Sequence, residues 1–129
     1  MTDHFTFSSH GRPSDEAFAE YARLYSHGSD VARGDGPFRA EVRAWRMHGV
    51  ILFDRRLNGV VHSREARVRS DGYDHIVLHA VLEGHLLGSA ASGFDVARPG
   101  DVVLIDAGQP SRTAPRDAHM LTVSIGRHL

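Results

Sequence analysis

Apolar and polar residues along this chain follow two different periods. Between residues 14 and 26, Phe18, Tyr21, Ala22 and Tyr25 recur at helical spacing. Ser14 offers a side chain for capping, Asp15 and Glu16 suit the positive end of a helix dipole, and Gly28 suits a stop. This predicts a short amphipathic helix over 14–26. From Phe38 the period becomes two: Phe38, Ala40, Val42 and Ala44 alternate with Arg39, Glu41, Arg43 and Trp45, as on a half-buried strand. Further strands are predicted at 50–54, 60–68, 75–82, 94–97, 102–105 and 121–125. Turn signals separate them at His48-Gly49, Asn58-Gly59, Asp71-Gly72, Glu83-Gly84, Ser92-Gly93, Pro99-Gly100 and Ala107-Gly108-Gln109-Pro110. Residues 1–13 read as an irregular arm, and the glycine-rich stretch 28–37 as a loop. Short strands with frequent turns predict an all-β sandwich or barrel.

The chain has 129 residues, enough for one hydrophobic core and too few for two domains. Its formal net charge is −1, and all fifteen basic residues are arginines spread from Arg12 to Arg127. Nothing here resembles the clustered basic face that grips phosphates, so DNA binding by this segment alone is not expected. There are no cysteines, which excludes disulfides and thiolate chemistry. The first residues lack the basic start and apolar stretch of a signal peptide, and no apolar run approaches the ~20 residues of a membrane span. The expectation is a cytoplasmic protein without a membrane partner.

Two pieces of the region 75–110 carry a resemblance. The first is Val81-Leu82-Glu83-Gly84, read as a strand ending in a turn. The second is Arg98-Pro99-Gly100-Asp101 feeding the apolar run Val102 to Ile105, followed by Ala107-Gly108-Gln109-Pro110. In this order and spacing they resemble a cupin core. Upstream, SDEAFAEYARLY and FRAEVRAWRMHGVILFDRRLNGVVHSREARVRSDGYDH look like the sensory half of AraC/XylS-type transcription regulators. The resemblance covers nearly all of 14–129. It implies an all-β, cupin-type jelly-roll barrel with a short N-terminal amphipathic helix. It also implies a small-molecule effector bound in the barrel. DNA would be reached only through a separate helix-turn-helix domain, which this chain does not contain.

Many cupins hold a metal, and the resemblance lets that pattern be laid on this chain. The glutamate position falls on Val77. The histidine pair falls on Asp71 and Tyr73, or on Ser70 and Gly72, and the third histidine falls on Ser111. The turn glycines are kept while every ligand position is lost, so no metal and no cofactor are expected. His75 and His79 lie four apart, about 13 Å along a strand, too far to share one ion. His62, His85 and His119 belong to different strands or turns and would have to converge.

Alternation decides the candidate ligand residues. With Val77 inward, His75, His79 and Val81 also point inward, while Ile76, Leu78, Ala80 and Leu82 form an outward apolar row that needs cover. The helix or a second subunit would supply it, which makes a homodimer one of the expected arrangements. His79 is the first pocket candidate, with His75 beside it, against the alternative of a hydrogen-bonded core histidine. Trp45 would give a flat apolar wall, although it lies on the polar row of its strand. Ser111 and Thr113 follow the second motif, and Arg46 or Arg64 would pair with a carboxylate. No nucleophile motif and no phosphate loop occurs. The reading is therefore a non-enzymatic effector sensor. A stand-alone cupin enzyme (isomerase, lyase or oxygenase) and a purely dimerising barrel with a filled lumen are the alternatives.

Overall fold

The computed structural model describes residues 3–65, 74–91 and 93–126. The strands predicted or extended into 66–73, and the turn at Asp71-Gly72, lie outside the described residues. Among the described residues, nine strands and one helix follow in the order β1 (Asp3–Ser8), α1 (Ser14–Tyr25), β2 (Asp30–Arg33), β3 (Arg39–Met47), β4 (Val50–Asn58), β5 (Val60–Arg64), β6 (His75–Ser89), β7 (Val96–Ala97), β8 (Val102–Asp106) and β9 (Ser111–Gly126). All the strand pairings are antiparallel. The expected all-β architecture with one short N-terminal helix is what the chain adopts.

Two long strands organise it. β6 and β9 pair along nearly their whole lengths, from His75↔Gly126 to Ser89↔Arg112. The first half of β6 and the second half of β9 belong to one wall, in the order β1-β3-β4-β9-β6-β8. Their other halves belong to a second wall, β2-β5-β9-β6-β7. The register shifts between Val81 and Glu83 and again between Glu83 and His85, so β6 bends there. Gly84 sits at this corner with φ +70°, and a Cβ on it would lie 2.1 Å from the Asp117 carbonyl oxygen. Asp117, across the corner, also has positive φ. Asn58 fastens the same corner: its Nδ2 donates to the Pro37 carbonyl at 2.9 Å, and its Oδ1 accepts from the Asp117 N–H at 3.0 Å.

Several boundaries differ from those read in the sequence. The arm contains β1, whose Phe5 and Phe7 stand opposite Ala44 and Val42 of β3. The glycine-rich loop contains β2, a four-residue edge strand on β5. Ser14 is not a cap. The cap position is Pro13, without a side-chain hydrogen bond, and Ser14 Oγ instead accepts from Arg33. Glu83-Gly84 is a bulge inside β6 rather than a turn, because a left-handed glycine serves either purpose. β9 begins at Ser111, ten residues before its apolar run, in a stretch whose Pro115, Arg116 and Asp117 do not read as a strand.

The core lies between the walls. Inward residues of β3 (Ala40, Val42) and β4 (Leu57) meet Val81, Leu86, Val103, Ile105, Ala118 and Met120 from β6, β8 and β9. α1 buries Ala17 and Tyr21 against this interior. Tyr21 packs edge-on against Phe7 and Phe38, and Phe18 against Phe38. The helix therefore closes the inside of the barrel and does not cover the outward row Ile76–Leu82. That face stays bare: Leu82, Val102, Leu104 and Leu121 remain 44%, 64%, 53% and 37% exposed.

Candidate ligand site in the barrel

The two walls and α1 enclose a cavity of about 490 Å³, within the range of small-molecule sites. Its lining is mainly apolar, with Ile51, Phe53, Val77 and Ile105 from the first wall and Tyr25 from the helix. The lumen is not filled by side chains, against the dimerising-barrel alternative. Five of the residues chosen from sequence line it: His79, Ser111, Thr113, Arg46 and Arg64. Arg46 sits at the exposed rim, opposite Asp3 of β1. His75 does not line the cavity. Nor does Trp45, which lies on the outer face, its ring 5.5 Å from His4 and below the Arg43 guanidinium. Trp45 shares the outward parity of Arg43 on β3, which is why it cannot reach the lumen.

The centre of the site is a residue that sequence reasoning passed over. Alternation along β4 puts Ile51, Phe53, Arg55 and Leu57 on one row, so Arg55 points inward between two large apolar residues. It is 5% exposed. Its Nη2 donates to Thr122 Oγ1 at 2.9 Å, and its Nε is buried without a hydrogen bond. The guanidinium lies over the rings of Phe53 and Tyr25, at 5.3 and 5.7 Å from their centroids. Contacts of this kind offset part of the desolvation of a cation, by about 0.5–2 kcal/mol each. Among the described residues no carboxylate pairs with it. Burial works to lower its pKa, but the neighbouring phenols of Tyr25 and Tyr21 outweigh that and raise it, so it stays charged.

Every titratable neighbour adjusts to that charge. His79 lies mid-strand in β6 and shares a 2.8 Å hydrogen bond between Nδ1 and Thr122 Oγ1. Burial, reinforced by the Arg55 charge, pushes its pKa down to about 3. His62 of β5 is held at both ring nitrogens, Nε2 by Tyr21 Oη at 2.7 Å and Nδ1 by Ser29 Oγ at 2.9 Å. A neutral imidazole has one donor and one acceptor nitrogen, so one hydroxyl donates and the other accepts. Burial, then Arg55, then His79 drive the His62 pKa well below its ordinary value. Burial likewise raises the Tyr21 phenol well above its usual range. At neutral pH the Arg55 cation is surrounded by neutral imidazoles, phenols and hydroxyls. Arg64, also inward and buried, is committed to backbone: it donates to the Ala107 carbonyl at 2.9 Å and the Gly28 carbonyl at 2.6 Å.

The described residues of the site do not supply a metal ligand set. Val77 and Ser111, at the aligned ligand positions, do line the cavity, but a valine has no donor atom and the other aligned positions lie outside the described residues. His62 has both nitrogens engaged. His85 is exposed on β6, and His119 bonds Asp54 at 2.8 Å on the outer side of the wall, so the three histidines do not converge. Among the described residues no group of three or more histidine or acidic side chains is arranged around a common point.

Comparison with known proteins agrees with the topology. The barrel superposes on the AraC-like transcriptional activator CuxR with a TM-score of 0.82 at 20% identity, over 98% of this chain and 48% of that one. An RmlC-like cupin from Shewanella frigidimarina superposes with a TM-score of 0.51 at 11% identity, over 75% of this chain and 82% of the other. The fold is that of a cupin. An HTH_3 family transcriptional regulator from Vibrio cholerae gives a TM-score of 0.54 at 15% identity, over 88% and 64% of the two chains. No family model and no curated protein matches the sequence. The chain spans about half the length of CuxR. No helix among the described residues is long and apolar enough to cross a membrane.

Proposed function

We propose that this cupin barrel is the effector-sensing domain of a transcription regulator. A small organic molecule binds between the walls, and its binding is coupled to DNA recognition by a separate domain. The observation that carries this reading is the 490 Å³ cavity, which keeps buried polar groups facing open space. The superposition with an AraC-like activator over nearly the whole barrel supports it. In this reading the barrel catalyses no reaction, and His79 and Thr122 position the ligand instead of moving protons. Coupling requires that the ligand bind two arrangements of the regulator with different affinity. α1 is suited to report occupancy, because Tyr25 lines the cavity while Tyr21 and Ala17 anchor the helix to the core.

The test is native mass spectrometry of the purified chain, followed by thermal-shift screening against a metabolite set. One organic molecule per chain, or a saturable rise in Tm, is the expected result. A chain that neither retains nor responds to any small molecule would sink the reading. One bound metal ion per chain, with substrate turnover, would replace it with an enzyme.

A further inference from the structure

We propose that the occupant of this cavity is an organic monocarboxylate, its acid group on the Arg55 guanidinium and its apolar body against Phe53, Tyr25 and Val77. This rests on the barrel being a ligand site and goes on to name the class of ligand.

The argument starts from an unbalanced charge. A guanidinium removed from water is normally paired with an acid, because desolvation is costly and an opposite charge repays it. Arg55 is buried, cationic and without an acidic partner among the described residues. What it has is one hydroxyl, two aromatic faces and a buried Nε without a hydrogen bond, on a side chain that lines the cavity. Its titratable neighbours His62 and His79 carry no negative charge in either protonation state, and both are kept neutral beside it. A carboxylate entering the cavity supplies the missing charge and meets the guanidinium in the planar geometry that suits it. Low local dielectric strengthens that pair.

The same inventory selects a single negative charge. Of the other guanidiniums on the lining, Arg64 is already bonded to the Ala107 and Gly28 carbonyls, and Arg46 sits at the exposed rim opposite Asp3. A phosphate monoester dianion would bring more charge than the free cation can balance, between walls that are mainly apolar. Ile51, Val77 and Ile105 offer no hydrogen bonds, so the part of the ligand that lies against them is hydrocarbon or aromatic.

The probes are phenylacetate, its neutral isostere phenylacetamide, and phenyl phosphate. Each is titrated into the purified chain while calorimetry and the Arg55 Nε–H resonance are followed. Phenylacetate is expected to bind saturably in the millimolar range and to move that resonance. Phenylacetamide and phenyl phosphate should bind at least about tenfold more weakly. Arg55→Met should abolish phenylacetate binding, and Arg55→Lys, which keeps a charge without the fork, should weaken it. If a substitution unfolds the chain, the carboxylate–amide contrast in the unmodified protein still decides. Equal binding of acid and amide, with Arg55 unperturbed, overturns the anion assignment while leaving a ligand site. Tighter binding of phenyl phosphate replaces the monocarboxylate by a phosphorylated ligand. No perturbation by any of the three overturns both the assignment and the ligand site.

Discussion

His79 should make this barrel lose stability on mild acidification, well before its carboxylates titrate. In the folded chain its pKa lies at about 3. In the unfolded chain it returns to ~6.5. The folded-state value is the depressed one, so the unfolded state binds the proton first as pH falls. Stability is fully present above ~6.5 and declines by about 1.4 kcal/mol per pH unit below it, until the folded-state pKa is reached. From pH 7 to pH 5 this one imidazole removes about 2 kcal/mol, a large share of the ~5–15 kcal/mol that holds a typical domain. His62 is depressed for the same reason and adds to the loss in the same direction. Burial alone would raise the Asp54 carboxyl, but hydrogen bonds from Arg43 and His119 hold it below its ordinary value. It therefore contributes only at lower pH. The assay is urea unfolding at pH 7, 6 and 5 for the native chain and for His79→Gln, whose amide is neutral throughout. The native chain should lose about 2 kcal/mol more than the variant across that range. Parallel pH profiles would refute the reasoning, because they would mean that His79 protonates as readily inside the fold as outside it.

Two further predictions concern the corner where β6 and β9 bend. Gly84→Ala should cost at least about 1–3 kcal/mol from the left-handed backbone alone, and more from the clash with the Asp117 carbonyl, read as a lower urea midpoint or as failure to fold. Asn58→Ala should cost about 1–3 kcal/mol, because it removes two hydrogen bonds worth about 0.5–1.5 kcal/mol each, and this is measurable by the same unfolding series at pH 7.

Much of the architecture was legible in the chain itself. Alternation from Phe38 onward, the helical period of Phe18, Tyr21 and Tyr25, and glycines at the turn positions were enough for an all-β barrel with one N-terminal helix. The inward parity of Val77, His79 and Val81 was legible too, because a strand has only two faces. Tertiary structure decided what local chemistry leaves open. Gly84 reads equally well as a turn or a bulge, and only the pairing of β6 with β9 on both sides of it makes it a bulge. β1 and β2 are edge strands whose sequences are too short and polar to declare themselves. They exist because β3 and β5 offer them hydrogen-bonding partners.

The site shows the same division. His79 could be placed by parity and Ser111 and Thr113 by motif position, and the polar row of β3 already spoke against Trp45; Arg46 was chosen for its chemistry alone, and His75, inward by parity, could not be excluded from the lumen until the walls were assembled. Arg55 was missed because arginines are mostly solvated and the run Asp54-Arg55-Arg56 looks like the end of a strand. Continuing the row Ile51, Phe53, Arg55, Leu57 was the signal that would have found it. By itself, the order of residues determined which side chains share a face of each strand. Which faces turn toward one another, and hence that the buried Arg55 stands beside a cavity without a carboxylate partner among the described residues, was decided only when the two long strands bent and the helix closed the space between the walls.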